Sequence, residues 1–588
     1  MNFNNYKKLD NYEKVAVYLI LFSFLMTFIG IFKYSIEKGF SFFEAFSTAF
    51  YAVYAFLGGN GIYYENLPFI TYLGAITFPI GISLGLVLIF KYRFQRWWNK
   101  FLNNNIDILA VGLGKYGYNF FKANKGKKIF FLTDDLDSNY AKRAISEGAL
   151  VYDINELEEL SKKAKEIYLL EDEDLKNIEI LKKINSKAEI YIHLKNREFE
   201  MFFSPIFEKD NVLKVRPFNV FRNSIIDFFK KNNLEGDINI TQKGKKVKIL
   251  LIGWSDIIKE ALWYVLNIGH FYNDEPIEVV VLVDEVDPVE QEIEFLYPRL
   301  NEYKTSNNDL NRQYWDVKII DLQTYYRDYY KKNSFNFTNV IVGFEDVERS
   351  IKTAIKFMDL HYEELKKSVI AIYSEELKFE RGRIKSFGLL RDILSIDKIK
   401  NEKLDTMGKR LAEIYLKNKK KKEENKIEYP WLETVFTYYS NIFASIYNQT
   451  INKRTYQKLC KCKEDEIDIE KVKEKYENIF TKIEEKNDKK IKKFLEEEFN
   501  AFVKAVSQMN ANSTEEKIRI FEKLIELEHI RWNAYHILNG FRYDKEKDKN
   551  AKKHNCLITW EKIKKEKEDT IIYDIENVLS GINSKEIK

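Results

Sequence analysis

The chain has 588 residues, more than a single hydrophobic core usually serves, so several domains are expected. Its 95 lysines and arginines nearly balance its 90 aspartates and glutamates, so the net charge gives no indication of a nucleic-acid partner. Three cysteines are too few for a disulfide framework, which indicates a reducing compartment for most of the chain.

Two apolar runs near the amino terminus predict membrane-spanning helices. Val15 to Phe32 has only serine and threonine as polar members, and Phe69 to Phe90 has no charged residue. Each run is long enough to cross the hydrocarbon core, which needs about 20 residues. Basic residues flank the hairpin at both ends, namely Lys7, Lys8, Lys14, Lys91, Arg93, Arg96 and Lys100. The positive-inside rule then predicts a multi-pass protein of the inner (plasma) membrane with both termini in the cytoplasm.

The connection between the two runs is too apolar for a solvated loop. Ser41-Phe42-Phe43-Glu44 has the pattern of a capping box, and the aromatic residues after it recur at helical spacing. This pattern predicts a short re-entrant helix. The helix leads into a glycine-rich turn whose backbone carbonyl oxygens could face an ion. The residues of that turn, predicted to line a pore, are Leu57, Gly58, Gly59, Asn60 and Gly61.

In order and length, this region resembles the pore unit of potassium channels: a span, a dipping helix, a glycine-rich turn and a second span. The family's Thr-Val-Gly-Tyr-Gly filter would fall on Leu57 to Gly61, which keeps two glycines but loses the threonine hydroxyl and the tyrosine. The resemblance implies a homotetramer in the lipid bilayer that passes monovalent cations, and the lost threonine and tyrosine predict low or non-potassium selectivity. The alternative is an anchoring hairpin with an ordinary Gly-Asn-Gly turn.

A nucleotide-binding pattern follows the second run. Ile106 to Val111 is typical of a buried strand and enters Gly112-Leu-Gly114-Lys-Tyr-Gly117. A short helical segment and the strand Lys128 to Thr133 come next, and an acidic pair ends that strand. In this arrangement the glycine turn presents backbone N–H groups to phosphates, and a carboxylate holds ribose hydroxyls. We therefore predict that NAD or another adenine nucleotide binds at Gly112, Gly114, Gly117, Asp134 and Asp135.

Later strands complete the first lobe. They are predicted at Leu150 to Tyr152, Glu166 to Leu170 and Ala188 to Leu194, which makes the lobe doubly wound α/β. With Gly148 to Tyr152 and the acidic Glu171 to Asp174, the region resembles the regulator-of-potassium-conductance family, also called TrkA-N. That family also follows a second span in ligand-gated potassium channels. No histidine, lysine or tyrosine of the lobe has an evident catalytic partner, so we do not expect an enzyme.

A second unit of the same kind begins at Lys246 to Gly253, where the glycine fingerprint is reduced to one residue. Its predicted strands are Lys246 to Gly253, Ile277 to Val283, Asp316 to Ile320, Asn339 to Val342 and Ser368 to Ile372. A lobe without the phosphate-cradling glycines is expected to be structural or to bind a different ligand.

Beyond about residue 400, helices with charged linkers replace the strands. One helix is predicted from the capping box Ser513 to Glu516 up to the stop at Asn539-Gly540. The segments Glu528 to Ala534, Gly540 to Tyr543, Lys553 to Leu557 and Trp560 resemble the RyR repeat, known from ryanodine receptors and prokaryotic proteins. A fainter resemblance to an accompanying half of that module covers residues 407–459.

We expect a ligand of the RyR-like module to contact His529, Arg531, Trp532, Tyr543 and His554, because cationic and aromatic side chains suit nucleotide phosphates and bases. In the alternative, Trp532 is part of the core, His529 is a satisfied helix histidine and Arg531 is a structural salt-bridge partner. No metal or catalytic site is predicted.

The expected fold is an α-helical two-span membrane unit, followed by tandem α/β Rossmann-like lobes and a C-terminal all-α module. The domain ranges are 1–104 for the membrane unit, 105–240 and 241–400 for the two lobes, 401–512 for a helical region, and 513–588 for the RyR-like domain. The leading hypothesis is a ligand-gated cation channel controlled by nucleotide-sensing lobes. The alternatives are a nucleotide-sensing effector of a prokaryotic stress or defence response, either non-conducting or membrane-permeabilising, and an NAD-dependent oxidoreductase.

Overall fold

The structure is a computed structural model that describes twelve ranges of the chain. They are 11–57, 68–74, 76–80, 82–83, 106–209, 212–213, 215–329, 336–400, 435–459, 514–548, 551–567 and 570–582. The chain divides into two units, Met1–Ile106 and Asp107–Lys588. The first contains the apolar helices near the amino terminus, and the second contains both predicted lobes and the carboxyl-terminal helices.

The first unit consists of apolar helices. They are α1 (Asn11–Glu37), α2 (Phe42–Leu57) and α3 (Phe69–Ile80). Within the described ranges, one helical segment, Tyr18–Glu37, is long and apolar enough to cross a membrane. The second predicted span, Phe69 to Phe90, is described only in part, so the two-span arrangement stays a prediction.

Small residues let α1 and α3 approach closely. The Ser23 hydroxyl donates to the Gly74 carbonyl oxygen at 2.5 Å. A Cβ on Gly74 would lie 2.9 Å from the Ser23 carbonyl oxygen, and one on Gly30 would lie 2.8 Å from a methyl group of Ile70. Such contacts between small residues are the usual way in which membrane helices associate, since lipid gives them no hydrophobic driving force.

Helix α2 confirms the capping box. The Ser41 N–H and hydroxyl both donate to the Glu44 carboxylate, at 2.9 and 2.8 Å, and the Glu44 N–H donates back to the Ser41 hydroxyl at 3.4 Å. These bonds satisfy N–H groups that the first turn of a helix leaves free, and they fix where α2 begins. Its alanine face is buried against Ile31, whereas Phe43 and Phe50 on the remaining surface are exposed.

The first lobe is a six-stranded parallel sheet in the order β3-β2-β1-β4-β5-β8. Its sheet strands are β1 (Ile106–Val111), β2 (Ile129–Thr133), β3 (Leu150–Asp153), β4 (Ala164–Leu169), β5 (Glu189–His193) and β8 (Val215–Phe218), and a separate hairpin is formed by β6 (Glu208–Lys209) and β7 (Val212–Leu213). Its helices are α4 (Lys115–Ala123), α5 (Asn139–Ser146), α6 (Leu157–Lys163), α7 (Asp174–Lys183), α8 (Arg197–Phe202), α9 (Ser204–Phe207) and α10 (Val220–Lys231). The predicted strands and the doubly wound order are confirmed, and β8 is an addition.

The second lobe repeats this order. Its sheet runs β11-β10-β9-β12-β13-β15-β14, with only the edge strand β14 antiparallel. The strands are β9 (Lys248–Ile252), β10 (Ile277–Val283), β11 (Trp315–Asp321), β12 (Asn339–Val342), β13 (Val369–Tyr373), β14 (Glu380–Arg381) and β15 (Ile384–Phe387). The helices are α11 (Asp256–Ile268), α12 (Val286–Leu296), α13 (Leu322–Thr324) and α14 (Val347–Leu360). The predicted tandem of Rossmann-like lobes is therefore present.

The chain returns to the first lobe after β15. Two short helices, α15 (Leu390–Ile393) and α16 (Ile396–Lys400), pack into the core of the first lobe, where Leu390, Leu394 and Ile399 are buried. We call residues 390–400 the strap. The range 241–400 predicted for the second lobe therefore ends in a segment that completes the first.

The carboxyl-terminal part is helical. It contains α17 (Val435–Tyr447), α18 (Lys453–Leu459), α19 (Thr514–Leu538), α20 (Trp560–Glu566) and α21 (Ile571–Ile582). The short strands β16 (Arg542–Tyr543) and β17 (Lys553–His554) pair with each other, which corrects the expectation of an all-α module. Helix α19 ends where predicted, before Gly540 with its positive φ of 82°.

Candidate functional site

The glycine turn of the first lobe lies between β1 and α4. Gly112 has a φ of 96°, in the region that favours glycine, and its N–H donates to the Leu132 carbonyl at the end of β2 at 2.9 Å. In this sheet β1 and β4 are neighbours. The chain leaves β1 towards β2 on one side of the sheet order and leaves β4 towards β5 on the other side. The turn therefore opens at the topological switch point, where ligands of doubly wound domains bind.

The third glycine of the fingerprint serves packing. A Cβ on Gly117 would overlap the carbonyl oxygen of Gly112, so any larger residue would push α4 away from the turn. This close approach of helix and turn is the role that the third glycine has in the dinucleotide-binding fingerprint. The sequence prediction of a Rossmann-type turn at Gly112, Gly114 and Gly117 thus agrees with the local geometry.

The loop after β4 covers the first two glycines. A Cβ on Gly112 would lie 2.7 Å from the Glu171 backbone nitrogen, and a Cβ on Gly114 would lie 2.7 Å from the Asp172 Oδ2 atom. The Asp172 carboxylate therefore lies beside the N-terminal end of α4, where a bound phosphate would be placed. A phosphate at this turn must displace or neutralise that carboxylate.

Two lysines lie at the same end of the sheet. Lys115, between the second and third glycines, forms an ion pair with Glu375 of the second lobe. Burial lowers the pKa of the Lys115 ammonium, although the charges of Glu376 and Asp172 oppose that change. The Lys195 ammonium lies 5.5 Å from the centre of the Tyr116 ring. The turn thus has cations that could bind an anion, and acids that compete for them.

The acidic pair after β2 lies at this edge too. The Asp134 carboxylate accepts from Lys176 on the first turn of α7 at 2.8 Å, and this hydrogen bond lowers the pKa of Asp134. Lys176 also pairs with Glu171, whose carboxylate is 3.0 Å away. Asp135 accepts from the Asp137 N–H at 2.9 Å. Asp134 is therefore connected through Lys176 to the loop that covers the glycines, whereas Asp135 stabilises its own turn.

The second lobe has a counterpart of this ion pair. Asp284 follows β10, as Asp134 follows β2, and it pairs with Arg349 on α14 at 2.6 Å. A serine side chain closes the glycine turn of the second lobe. The Ser255 hydroxyl, two residues after Gly253, donates to the Gly343 carbonyl oxygen at 2.6 Å. Gly253 has a φ of 96°, which matches Gly112 in the first lobe. The sequence analysis did not predict that Lys176 and Arg349 occupy equivalent positions in the two lobes. Each is a basic residue in the first turn of the helix that follows the fourth strand of its lobe, and this shared position could have indicated it.

A buried charged cluster joins the two lobes. Arg222 on α10 lies between Glu200 of the first lobe and Glu260 of the second, with donor–acceptor distances of 3.1 Å to each. Its guanidinium also lies 4.2 Å from the centre of the Tyr439 ring on α17. Burial raises the pKa of Glu200 to about 7, although the charge of Arg222 opposes it. This three-way contact was not predicted, because its members are widely separated in sequence.

The RyR-like residues divide into a buried group and an exposed one. Arg531 donates to Glu528 at 3.0 and 2.9 Å, and Glu528 also accepts from Asn448 at 2.8 Å. The His529 Nε2 lies 3.0 Å from the Ile558 carbonyl, and its Nδ1 lies 3.3 Å from the Asp574 carboxylate. These contacts favour the structural alternative for Arg531 and His529.

The other RyR-like residues lie near the short strands. The partly buried Trp532 ring has its centroid 3.7 Å from that of His536 and 4.8 Å from that of His554. Tyr543 is exposed and its backbone pairs with His554 in the β16–β17 ladder. The structure therefore groups Trp532 with His554 and leaves Tyr543 at the surface.

The predicted pore residues are described only at one end. Leu57 is the last residue of α2, while Gly58, Gly59, Asn60 and Gly61 lie outside the described residues. No group of three or more metal-ligating side chains suited to an ion occurs in the part of the chain that the structure describes.

Strand order and glycine turns define both lobes as doubly wound, Rossmann-like α/β domains. No protein-family model and no curated protein matches the chain. Among solved structures, the chain is similar to a crystal structure of GsuK bound to ADP, with 14% identity, a TM-score of 0.31, and coverage of 66% of this chain and 96% of that chain. A crystal structure of the GsuK RCK domain has 11% identity and a TM-score of 0.31, with coverage of 52% and 78%.

The A chain of dipicolinate synthase from Bacillus subtilis is also similar, with 11% identity, a TM-score of 0.18, and coverage of 53% of this chain and 98% of that chain. At these identities and TM-scores, the similarities carry no conclusion about ligand or function.

Proposed function

We propose that the chain is a membrane protein whose first Rossmann-like lobe binds an adenine nucleotide and thereby controls a cation-conducting pore formed by the apolar hairpin. The main observation that supports a nucleotide site is the position of the glycine turn. Gly112, Gly114 and Gly117 lie at the switch point between β1 and β4. Lys115 within this turn and Lys195 beside it supply positive charge for phosphates.

The acids around the turn favour a sensor over a protein that holds its cofactor permanently. Asp172 lies against Gly114, and Glu375 is paired with Lys115. A phosphate must replace both contacts, so the bound and free states differ in their local arrangement. A ligand that binds one arrangement better than the other shifts the population between them, which is the requirement for a sensor.

The membrane unit supports the pore half of the proposal. Its helices α1 and α3 pack through Ser23, Gly30 and Gly74, and α2 begins at a formed capping box after a sharp turn from α1. Apolar side chains such as Phe43 and Phe50 are exposed on α2, which suits a surface that contacts lipid or other copies of the chain. Four copies around one axis would make the pore.

The nucleotide site is tested by removing the acid beside the turn. Gly114→Val is a poor test, because its side chain would meet Asp172 even without ligand. Asp172→Asn keeps the shape and removes a negative charge from the phosphate position. It should tighten binding of ADP or NAD to the purified full chain in detergent by roughly two- to fivefold.

Glu158→Gln is the matched control, since it removes an exposed carboxylate elsewhere in the same lobe. It should leave nucleotide affinity unchanged. Fluorescence titration with an N-methylanthraniloyl derivative of ADP, and calorimetry with NAD, provide the measurement. Absence of binding to the parent chain at millimolar nucleotide would overturn the proposed site.

A further inference from the structure

The Lys115–Glu375 ion pair places a residue of the second lobe on the glycine turn of the first. Glu375 follows β13 at the carboxyl edge of the second sheet, and Lys115 is the first residue of α4. The lysine side chain is one-third exposed and the glutamate is 17% exposed, so water screens the pair only in part. The cation best placed for a ligand phosphate is thus already neutralised by the other lobe.

We infer that a phosphate-bearing ligand and Glu375 compete for Lys115, so that ligand binding at the first lobe releases this contact with the second lobe. The inference rests on the proposed nucleotide site and states how that site is regulated. A phosphate placed at the turn would face the Glu375 carboxylate across a single ammonium group, and the two negative charges repel each other. The phosphate, with its greater charge, displaces the carboxylate, and the contact between the lobes is lost.

Two hydrogen bonds, one from its own lobe and one from the strap, hold Glu375 in position. Its carboxylate accepts from the Tyr373 hydroxyl at 3.1 Å, and its carbonyl oxygen accepts from the Leu390 N–H at 2.9 Å. The second of these bonds ties Glu375 directly to the start of the strap. A displacement of Glu375 therefore acts on residues that pack in the core of the first lobe.

The strap holds the opposite end of α4. The Asn124 amide group, at the C-terminal end of this helix, donates to the Leu394 carbonyl at 3.1 Å and accepts from the Ile396 N–H at 3.0 Å. Helix α4 is thus contacted at its first residue by Glu375 and at its end by the strap. Because both contacts belong to one stretch of chain, release at Lys115 changes the constraint on the strap.

Linkage gives a quantitative expectation. If Glu375 opposes the ligand, its removal must strengthen ligand binding, and the ligand must weaken the Glu375 contact by the same factor. Glu375→Gln removes the charge with little change in shape. We expect it to raise the affinity for ADP at least about fivefold, the lower end of typical coupling between sites.

The experiment is a double-mutant cycle on the full chain in detergent, with N-methylanthraniloyl-ADP as the probe. Binding is measured for the parent, Glu375→Gln, Lys115→Gln and the double variant. Tighter binding by Glu375→Gln in the parent background, and no effect in the Lys115→Gln background, would support competition for this lysine. Glu380→Gln, an exposed glutamate on β14, is the control and should bind as the parent does.

A second readout follows the strap itself. Hydrogen exchange of the amides in Leu390–Ile393 should quicken when ADP binds the parent, and should already be quick in Glu375→Gln without ADP. If the parent binds ADP but Glu375→Gln binds it no more tightly, the competition is overturned and the nucleotide site remains. If neither the parent nor any variant binds ADP, the proposed nucleotide site itself fails, and the competition with it.

Discussion

Arg222 of the first lobe donates through Nε and Nη2 to both carboxylate oxygens of Glu260 of the second lobe, each at 3.1 Å. Both side chains are buried, and Glu200 approaches the same guanidinium from the first lobe. The aromatic rings of Trp263 and Tyr439 lie 4.9 and 4.2 Å from its central carbon. One buried cation thus contacts both lobes and α17 at the same point and helps to hold them together.

Removing that cation should destabilise the cytoplasmic unit severely. Arg222→Ala leaves two buried carboxylates without their partner, and loss of one member of a buried pair typically costs about 3–5 kcal/mol. Urea unfolding of the full chain in detergent, followed by tryptophan fluorescence, measures the change. Arg349→Ala is the control, because its exposed pair with Asp284 should contribute only about 0–1 kcal/mol. Equal small effects of the two substitutions would contradict a structural role for the Arg222 cluster.

The stability of the carboxyl-terminal helices should fall as the pH rises. Glu576 on α21 is 3% exposed, and burial raises its pKa from 4.5 to about 8. Because the folded state holds this proton more tightly than the unfolded state, the buried neutral carboxyl group contributes its full stability below pH 4.5. That contribution is lost as the pH rises towards 8. The loss over this window is on the order of 5 kcal/mol.

Glu576→Gln should remove this dependence, so that its stability relative to the parent improves steadily between pH 5 and pH 8 and is constant at higher pH. Unfolding free energies at several pH values provide the test. Glu561→Gln, at an exposed position on α20, should follow the parent across the range. A constant difference between Glu576→Gln and the parent at every pH would show that Glu576 does not titrate in this window.

The packing of α1 against α3 should require a glycine at position 74, because a larger residue there has no room. Gly74→Val would insert methyl groups against the Ser23 carbonyl and the backbone of Thr27, which lie within 2.9 Å of a Cβ at this position. Overpacking of this kind typically costs about 1–3 kcal/mol. The midpoint of heat-induced loss of the monodisperse peak in size-exclusion chromatography should therefore fall. Ile76→Val, at an exposed position on α3, should have no such effect; equal behaviour of the two variants would contradict the packing.

Both termini should lie on the cytoplasmic side. A membrane-impermeant thiol reagent applied to intact cells should label a cysteine placed at Glu65, between the two predicted spans. It should not reach Cys556 or a cysteine placed at Lys7, since the basic flanks favour the cytoplasm. Labelling at Lys7 from outside would reverse the predicted topology.

Local patterns in the sequence were sufficient for the strands and turns of the lobes. Runs such as Ile277 to Val283 and Asn339 to Val342 predicted β10 and β12 residue for residue, because buried parallel strands are continuous apolar segments. The capping box at Ser41 predicted the start of α2, since its hydrogen bonds join residues three apart.

Contacts between distant parts of the chain could not be predicted in this way. Lys115 and Glu375 are 260 positions apart, and nothing in the neighbourhood of either residue indicates the other. The return of the strap to the first lobe was missed for the same reason, since Leu394 and Ile399 are apolar residues that could equally have packed in the second lobe. For Arg531, the sequence allowed either a ligand contact or a structural salt bridge, and the packing in three dimensions shows an ion pair with Glu528.

The most direct test of the proposed function is ion flux through the purified full chain in liposomes, with and without ADP or NAD. We predict a flux that depends on the nucleotide and is reduced in Lys115→Gln, because this substitution removes a positive charge from the phosphate position. We also predict only a small shift in reversal potential when sodium replaces potassium, because Leu57 and Asn60 replace the threonine and tyrosine of a potassium filter. A chain that binds nucleotide yet passes no current would contradict the pore, and a large shift in reversal potential would contradict the loose filter.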